Sequence, residues 1–161
     1  MKPKINTIYH LYNRGNRKSA ICLDPYDRNY LSYLIHHYFN NKYFDLIIFC
    51  IMPNHFHILV VQKTDSSISK AMHGIGTRYP NYFNRKYKLT GHLFQDSYKH
   101  RTIDNFIYFR QIIKYIENNP SKLSKKTRKI TRVRKNKTLI DYYNMYLTYK
   151  NDLSTDPPIV Y

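Results

Sequence analysis

The chain has 161 residues, with 27 Lys or Arg against 10 acids and a formal net charge of +17. That length suits one domain with an ordinary core and a short appendage, and the charge fits a polyanionic partner, because each phosphate neutralised releases condensed counterions. No apolar run of about 18 residues is present to span a bilayer and no lipidation motif is present, while Cys22 and Cys50 form neither a zinc knuckle nor a disulfide framework.

Thr7 to Asn13 (TIYHLYN) alternates and is rich in β-formers, which predicts a strand broken by Arg14-Gly15-Asn16. Asp24-Pro25 predicts a capped helix start, and Tyr30, Leu31, Leu34, Ile35 and Tyr38 continue at helical spacing. Phe44 to Met52 reads as a buried strand, Pro53-Asn54 as a tight turn, and His55 to Gln62 as the antiparallel neighbour. Thr64-Asp65-Ser66-Ser67 caps a second helix through about Lys86, with Gly74, Gly76 and Pro80 placed to kink it. Gly91 to Gln95 is a loop before a fourth strand, about Asp96 to Thr102. Asp104 caps a third helix, Asn105 to Asn118, which stops at Pro120 because the residue before proline disfavours helical geometry.

The order β-α-β-β-α-β followed by a helix predicts an α+β, ferredoxin-like fold. Its four-stranded antiparallel sheet carries helices on one face and leaves the other for the tyrosine-bearing third helix. A division into a domain at 1–120 and a basic arm with a short closing helix at 121–161 follows. Ser121 to Thr138 holds nine Lys or Arg and no acid. Such a run is either a solvated tail or an arm that grips phosphate. With a +17 chain the arm is expected, its contacts being Lys122, Lys125, Lys126, Arg128, Lys129, Arg132 and Arg134. Leu139 to Asp152 is the expected closing helix. The start, Met1-Lys2-Pro3-Lys4, is not followed by a signal-peptide core, so the cytoplasm, near the nucleoid, is the expected compartment.

The chemistry concentrates at His55-Phe56-His57. Residues two apart in a strand point the same way, so two imidazoles stand side by side on one sheet face and could share a metal ion. The same spacing suits two histidines at a sheet end with no ligand. Tyr115 and Asn119 are four apart and share a helix face, which suits a packing tyrosine and a C-capping asparagine as well as a nucleophile and an amide ligand. Nine of the acids are aspartates and Glu117 is the only glutamate, with no carboxylate pair set out as in two-metal nucleases. Joined together, His55, His57, Asn119 and Tyr115 would suit phosphoryl transfer by a phenol, which with its pKa of about 10 needs nearby positive charge to lose its proton.

Four segments carry a resemblance: Tyr9-His10-Leu11-Tyr12-Asn13-Arg14-Gly15-Asn16, Met52-Pro53-Asn54-His55-Phe56-His57-Ile58-Leu59-Val60, Gly91-His92-Leu93-Phe94-Gln95 and Tyr115-Ile116-Glu117-Asn118-Asn119-Pro120. In this order they resemble the motifs of single-tyrosine HUH transposases, and among them the REP-associated tyrosine transposases. The resemblance covers about Ile5 to Leu123. It implies a ferredoxin-like fold, Mg²⁺ or Mn²⁺ as cofactor, and single-stranded DNA with hairpins as substrate, acting as a monomer or homodimer. It implies Tyr115 as nucleophile through a 5′-phosphotyrosine intermediate, and His55 and His57 as metal ligands. Asn119 falls where many relatives have a glutamine as third ligand and is one methylene shorter; Phe94 stands where tryptophan is frequent. Arg14, His92 and His100 are further candidates for contacting DNA. The competing reading is a non-catalytic nucleic-acid-binding module, since ferredoxin-like sheets also serve as RNA platforms. A zinc hydrolase built on His55 and His57 lacks a third histidine or carboxylate at an obvious spacing.

Overall fold

The computed structural model of the chain describes residues 5–40, 42–118, 144 and 147. Seven main elements follow in order: β1 (Thr7–Arg14), α1 (Pro25–Tyr38), β2 (Phe44–Ile51), β3 (His55–Gln62), α2 (Ile68–Tyr87), β4 (Lys99–Ile103) and α3 (Phe106–Asn118). The strands form one sheet in the order β2-β3-β1-β4, with every neighbouring pair antiparallel. This is the ferredoxin-like arrangement that the element order predicts.

Strand alternation divides the core into two layers. Tyr9 and Leu11 of β1 and Phe56, Ile58 and Val60 of β3 pack with α1 and α2. Ile8, Leu59 and Val61 face the other way and meet Phe109, Ile112, Ile113 and Ile116 of α3. β2 contributes to both layers through a bulge: Leu46 pairs with Val60 and Ile48 with Leu59, which leaves Ile47 as the extra residue. Ile47 and Ile48 therefore both enter the α3 layer, which strict alternation over Phe44 to Met52 does not foresee.

Local chemistry moves several predicted boundaries. Within the predicted capping segment Thr64–Ser67, Ser67 is the residue that caps α2, accepting from the Lys70 N–H, while the Thr64 hydroxyl accepts from the Ser66 N–H. α2 then runs as one helix of 20 residues with Pro80 inside it. Asn105 rather than Asp104 caps α3, its Oδ1 accepting from the Tyr108 N–H at 2.8 Å. β4 begins at Lys99, three residues after the predicted Asp96, because the preceding segment is tied to the end of β1. Asn16 N–H donates to the Leu93 carbonyl and Gln95 N–H to the Arg14 carbonyl. Gly15 sits in that junction, where a Cβ would overlap the Ser19 carbonyl oxygen. Of the predicted arm and closing helix at 121–161, only Asn144 and Leu147 are described, and Leu147 packs on the α3 layer. The seven arm cations lie outside the described residues.

A polar knot locks the start of α1 to the end of α2. Asp24 and Asp27 form a capping box. The Asp27 side chain, fully buried, accepts from Lys86 Nζ at 2.7 Å, the Leu23 N–H at 2.8 Å and the Tyr87 hydroxyl at 2.8 Å. Burial pushes the Asp27 carboxyl up, but the Lys86, Leu23 and Tyr87 donors outweigh it and hold the group below the usual range. Lys86 also holds the Asp24 carboxyl down to about 2. Both groups bind fewer protons folded than unfolded, so their stabilisation is complete above the ordinary 3.8 and drains as pH falls below it. Asp27→Asn, which leaves these donors facing a neutral amide, is expected to lower stability by about 1.5–3 kcal/mol at pH 7. In urea titrations that loss should shrink steadily as pH falls below 3.8.

Candidate active site

β1 and β3 pair so that Arg14 lies opposite His55 and Tyr12 opposite His57, with His10 opposite Leu59. Directly opposed residues share a face, so His10, Tyr12, Arg14, His55 and His57 all stand on the side of the sheet that α3 covers. Phe56, between the histidines, points into the α1/α2 core and is fully buried there. The His55 and His57 rings stand 5.1 Å apart at 83°.

Each ring is oriented by a partner on its Nδ1. His55 Nδ1 lies 2.7 Å from Asn54 Oδ1; an amide oxygen only accepts, so this nitrogen carries the proton and Nε2 carries the lone pair. His57 Nδ1 lies 3.0 Å from His10 Nε2. Burial first, then neighbouring charge, depresses both of these imidazoles: Arg101 acts on His10, lowered to about 4, and His10 and His55 act on His57, lowered to about 3. Both are neutral at pH 7. His57 Nε2 and His10 Nδ1, the two outer ends of the pair, are buried without a hydrogen-bond partner. Donation from His57 Nδ1 to His10 leaves a bare lone pair on His57 Nε2, which is the atom a cation would take.

α3 brings Tyr115 to the same place. Its ring meets His57 edge-on, with centroids 5.2 Å apart at 85°, and it is 45% exposed, so the hydroxyl is reachable from solvent. Tyr115 sits on the flank of the Ile112, Ile113 and Ile116 stripe that fastens α3 to the sheet. Together Tyr115, His55 and His57 line a pocket of about 390 Å³. Arg14, Lys18 and Lys99 supply positive charge around it, and Asp96 is its one carboxylate among the described residues. Arg14 is held by two bonds to Gln95 Oε1, at 3.1 and 2.7 Å.

The structure therefore brings together His55, His57, Tyr115 and Arg14. Asn119 lies outside the described residues. Among the described residues no group of three His, Cys, Asp or Glu side chains could hold a metal ion. His92 lines a separate cleft. His100 pairs with Leu11 and shares its face, beside Tyr98, on the side of the sheet away from the histidine pair. His10, Lys18 and Lys99 were not singled out in sequence. His10 could have been: it has the same parity as Ile8 and Tyr12 on a strand predicted to alternate, which fixes it on one face. Lys18 depends on the left-handed turn after β1 (φ 62°), which has no comparable signature.

The sequence profile of the family described as "Transposase IS200 like" matches residues 4–119. No curated protein sequence matches the chain. Among solved structures, one described as a REP-associated tyrosine transposase bound to a REP hairpin superposes with a TM-score of 0.56 at 22% identity, covering 76% of this chain and 70% of the other. A provisionally assigned transposase from Deinococcus radiodurans R1 superposes with a TM-score of 0.51 at 17% identity, covering 74% of this chain and 95% of the other. At these identities the two structures speak to the shared fold.

The His10–His57 pair generates a direct expectation. His10→Leu removes the hydrogen-bond partner that orients the His57 ring through Nδ1, and Mn²⁺ affinity measured by calorimetry should fall about 10–100-fold. His10→Gln, whose Oε1 can accept the same proton, should retain most of the affinity.

Proposed function

The chain belongs to the IS200-like transposase family, and from that premise we propose that it cuts and rejoins single-stranded DNA at hairpins, with Tyr115 as the nucleophile. The observation that carries the proposal is the edge-on contact of Tyr115 with His57 inside a cation-rimmed pocket. The hairpin in the REP-associated relative belongs to that protein; together with the +17 charge it supports a hairpin substrate here.

His55 and His57 would hold a divalent cation, Mg²⁺ or Mn²⁺, through their Nε2 atoms, with Asn119 as the proposed third donor. Such an ion, when bound, polarises a non-bridging phosphate oxygen and stabilises the departing 3′ oxygen. Asn54 and His10 fix the two rings from behind. Arg14, Lys18 and Lys99 draw the phosphodiester into the pocket and offset its charge. The Tyr115 oxygen, losing its proton, attacks phosphorus in line as the bond to the 3′ oxygen breaks, and that oxygen leaves as a hydroxyl after taking up a proton. The product is a 5′-phosphotyrosine. Because that ester conserves the phosphodiester energy, attack by another 3′ hydroxyl rejoins DNA without ATP and frees the phenol. The arm cations Lys122, Lys125, Lys126, Arg128, Lys129, Arg132 and Arg134 are proposed to hold the hairpin backbone.

The test is denaturing electrophoresis of a 3′-labelled hairpin oligonucleotide incubated with the protein and Mn²⁺. The wild-type chain should give a covalent shifted band. Tyr115→Phe should give none while binding the hairpin as before, and an undiminished adduct in that variant would remove the mechanism. His55→Ala and His57→Ala should each reduce the metal-stimulated adduct to background. A wild-type protein that binds hairpins and forms no adduct would favour the non-catalytic binding module.

A further inference from the structure

β4 is an edge of the sheet, bonded to β1 alone among the described strands, and four of its five residues are exposed. Charge on an edge strand guards it against pairing with another chain, which accounts for cations here in general. It does not account for where Arg101 is held. Lys99 pairs with Tyr12 and Arg101 with His10, so both cations stand on the side of the sheet that α3 covers. Lys99 lines the pocket around Tyr115. Arg101 follows two residues on, about 6.5 Å further along the strand.

The Arg101 guanidinium carbon lies over the Tyr108 ring of α3, 4.0 Å from its centre. The other cation–ring distances among the described residues run from 5.0 to 5.8 Å. A ring contact restrains the guanidinium without using its N–H donors. Among the described residues Arg101 has no ion pair and no hydrogen-bond acceptor, and it is exposed. Arg14 and Arg28 differ, since they donate to the Gln95 side chain and the Ile51 carbonyl. Tyr108 precedes Tyr115 by seven residues, close to two helical turns, so both phenols lie on one flank of α3. The helix that carries Tyr115 to the histidines therefore also carries the seat for Arg101.

An oriented guanidinium with its fork of donors unspent is suited to a tetrahedral oxyanion, which it can hold through two N–H bonds at once. We infer that Arg101, seated on Tyr108, is a second phosphate site, and that it holds the backbone phosphodiester next to the one at Tyr115. The step from Lys99 to Arg101 is one that an extended single strand covers in about one nucleotide. A contact of this kind carries no base information; it fixes the position of the strand along the protein. The inference rests on the proposed DNA substrate and deepens it, adding a charge contact outside the pocket.

The test uses the full chain in EDTA, so that no cutting occurs, and a DNA hairpin with single-stranded flanks. In a matching set of probes each flank phosphodiester in turn is replaced by a neutral methylphosphonate. For wild type, one replacement beside the cut mapped from the Tyr115 adduct should weaken binding about tenfold. Arg101→Gln should weaken the unmodified probe to the same extent and lose nothing further on that replacement. Its log K against log salt should be shallower by about 0.7, one single-strand phosphate contact. Arg101→Lys should keep the wild-type salt slope, and Tyr108→Leu should weaken the unmodified probe while keeping that slope. Thermal midpoints confirm that the variants are folded. An unchanged slope in Arg101→Gln, or a methylphosphonate pattern identical to wild type, overturns the phosphate site and leaves the Tyr115 chemistry in place. Failure of wild type to bind any probe overturns the proposed substrate and this site together.

Discussion

The docking of α3 on the sheet is the constraint on which the candidate site depends. Tyr115 has no role in the α1/α2 core; it reaches His57 because Phe109, Ile112, Ile113 and Ile116 bury themselves against Ile8, Leu59 and Val61. Burying such side chains contributes roughly 1.5–3 kcal/mol each relative to exposure, so the helix position is over-determined by several apolar contacts. A residue one step around the helix from that stripe can remain half-exposed and still be held in place. The bulge in β2 serves the same contact. By turning both Ile47 and Ile48 toward α3, it adds apolar area to the face that would otherwise be thinned by His10, Tyr12 and His57.

Electrostatics around the pocket follow one logic. Neutral imidazoles are what burial selects, since an imidazolium at His57 would sit unsolvated between His10 and His55. Cations such as Arg14, Lys18 and Lys99 stay at the rim, where water screens them from one another until a polyanion arrives. Among the described residues the one buried carboxylate network, at Asp27, lies in the α1/α2 layer, on the other side of the sheet from the histidine pair. There it ties two helices together.

Much of the fold was legible because its signals are local. Alternation in Thr7–Asn13 and in His55–Gln62, the Asp24-Pro25 cap, and the turn at Pro53-Asn54 each rest on a few neighbouring residues, and the structure carries all four. The Tyr115–His57 contact was legible only through motif order, because no local rule states which helix face meets which sheet end. What was missed depends on distant partners. The late start of β4 reflects bonds from 93–95 to the end of β1, and His10 becomes informative only when its Nε2 is seen against His57. The second helix shows the limit most clearly: Gly74, Gly76 and Pro80 were read as one kink signal, whereas Gly74 answers to the Tyr38 ring packed against it and Gly76 has open space beside it.

The segment between α2 and β4 ties two parts of the molecule together. Residues 91–98 are the common wall: Gln95 braces Arg14 beside the histidines, and the same segment closes the cleft along α2. Gly15 permits the close junction that holds this wall to β1, since any side chain there would collide with the Ser19 backbone. One loop therefore sets the width of both the pocket and the cleft.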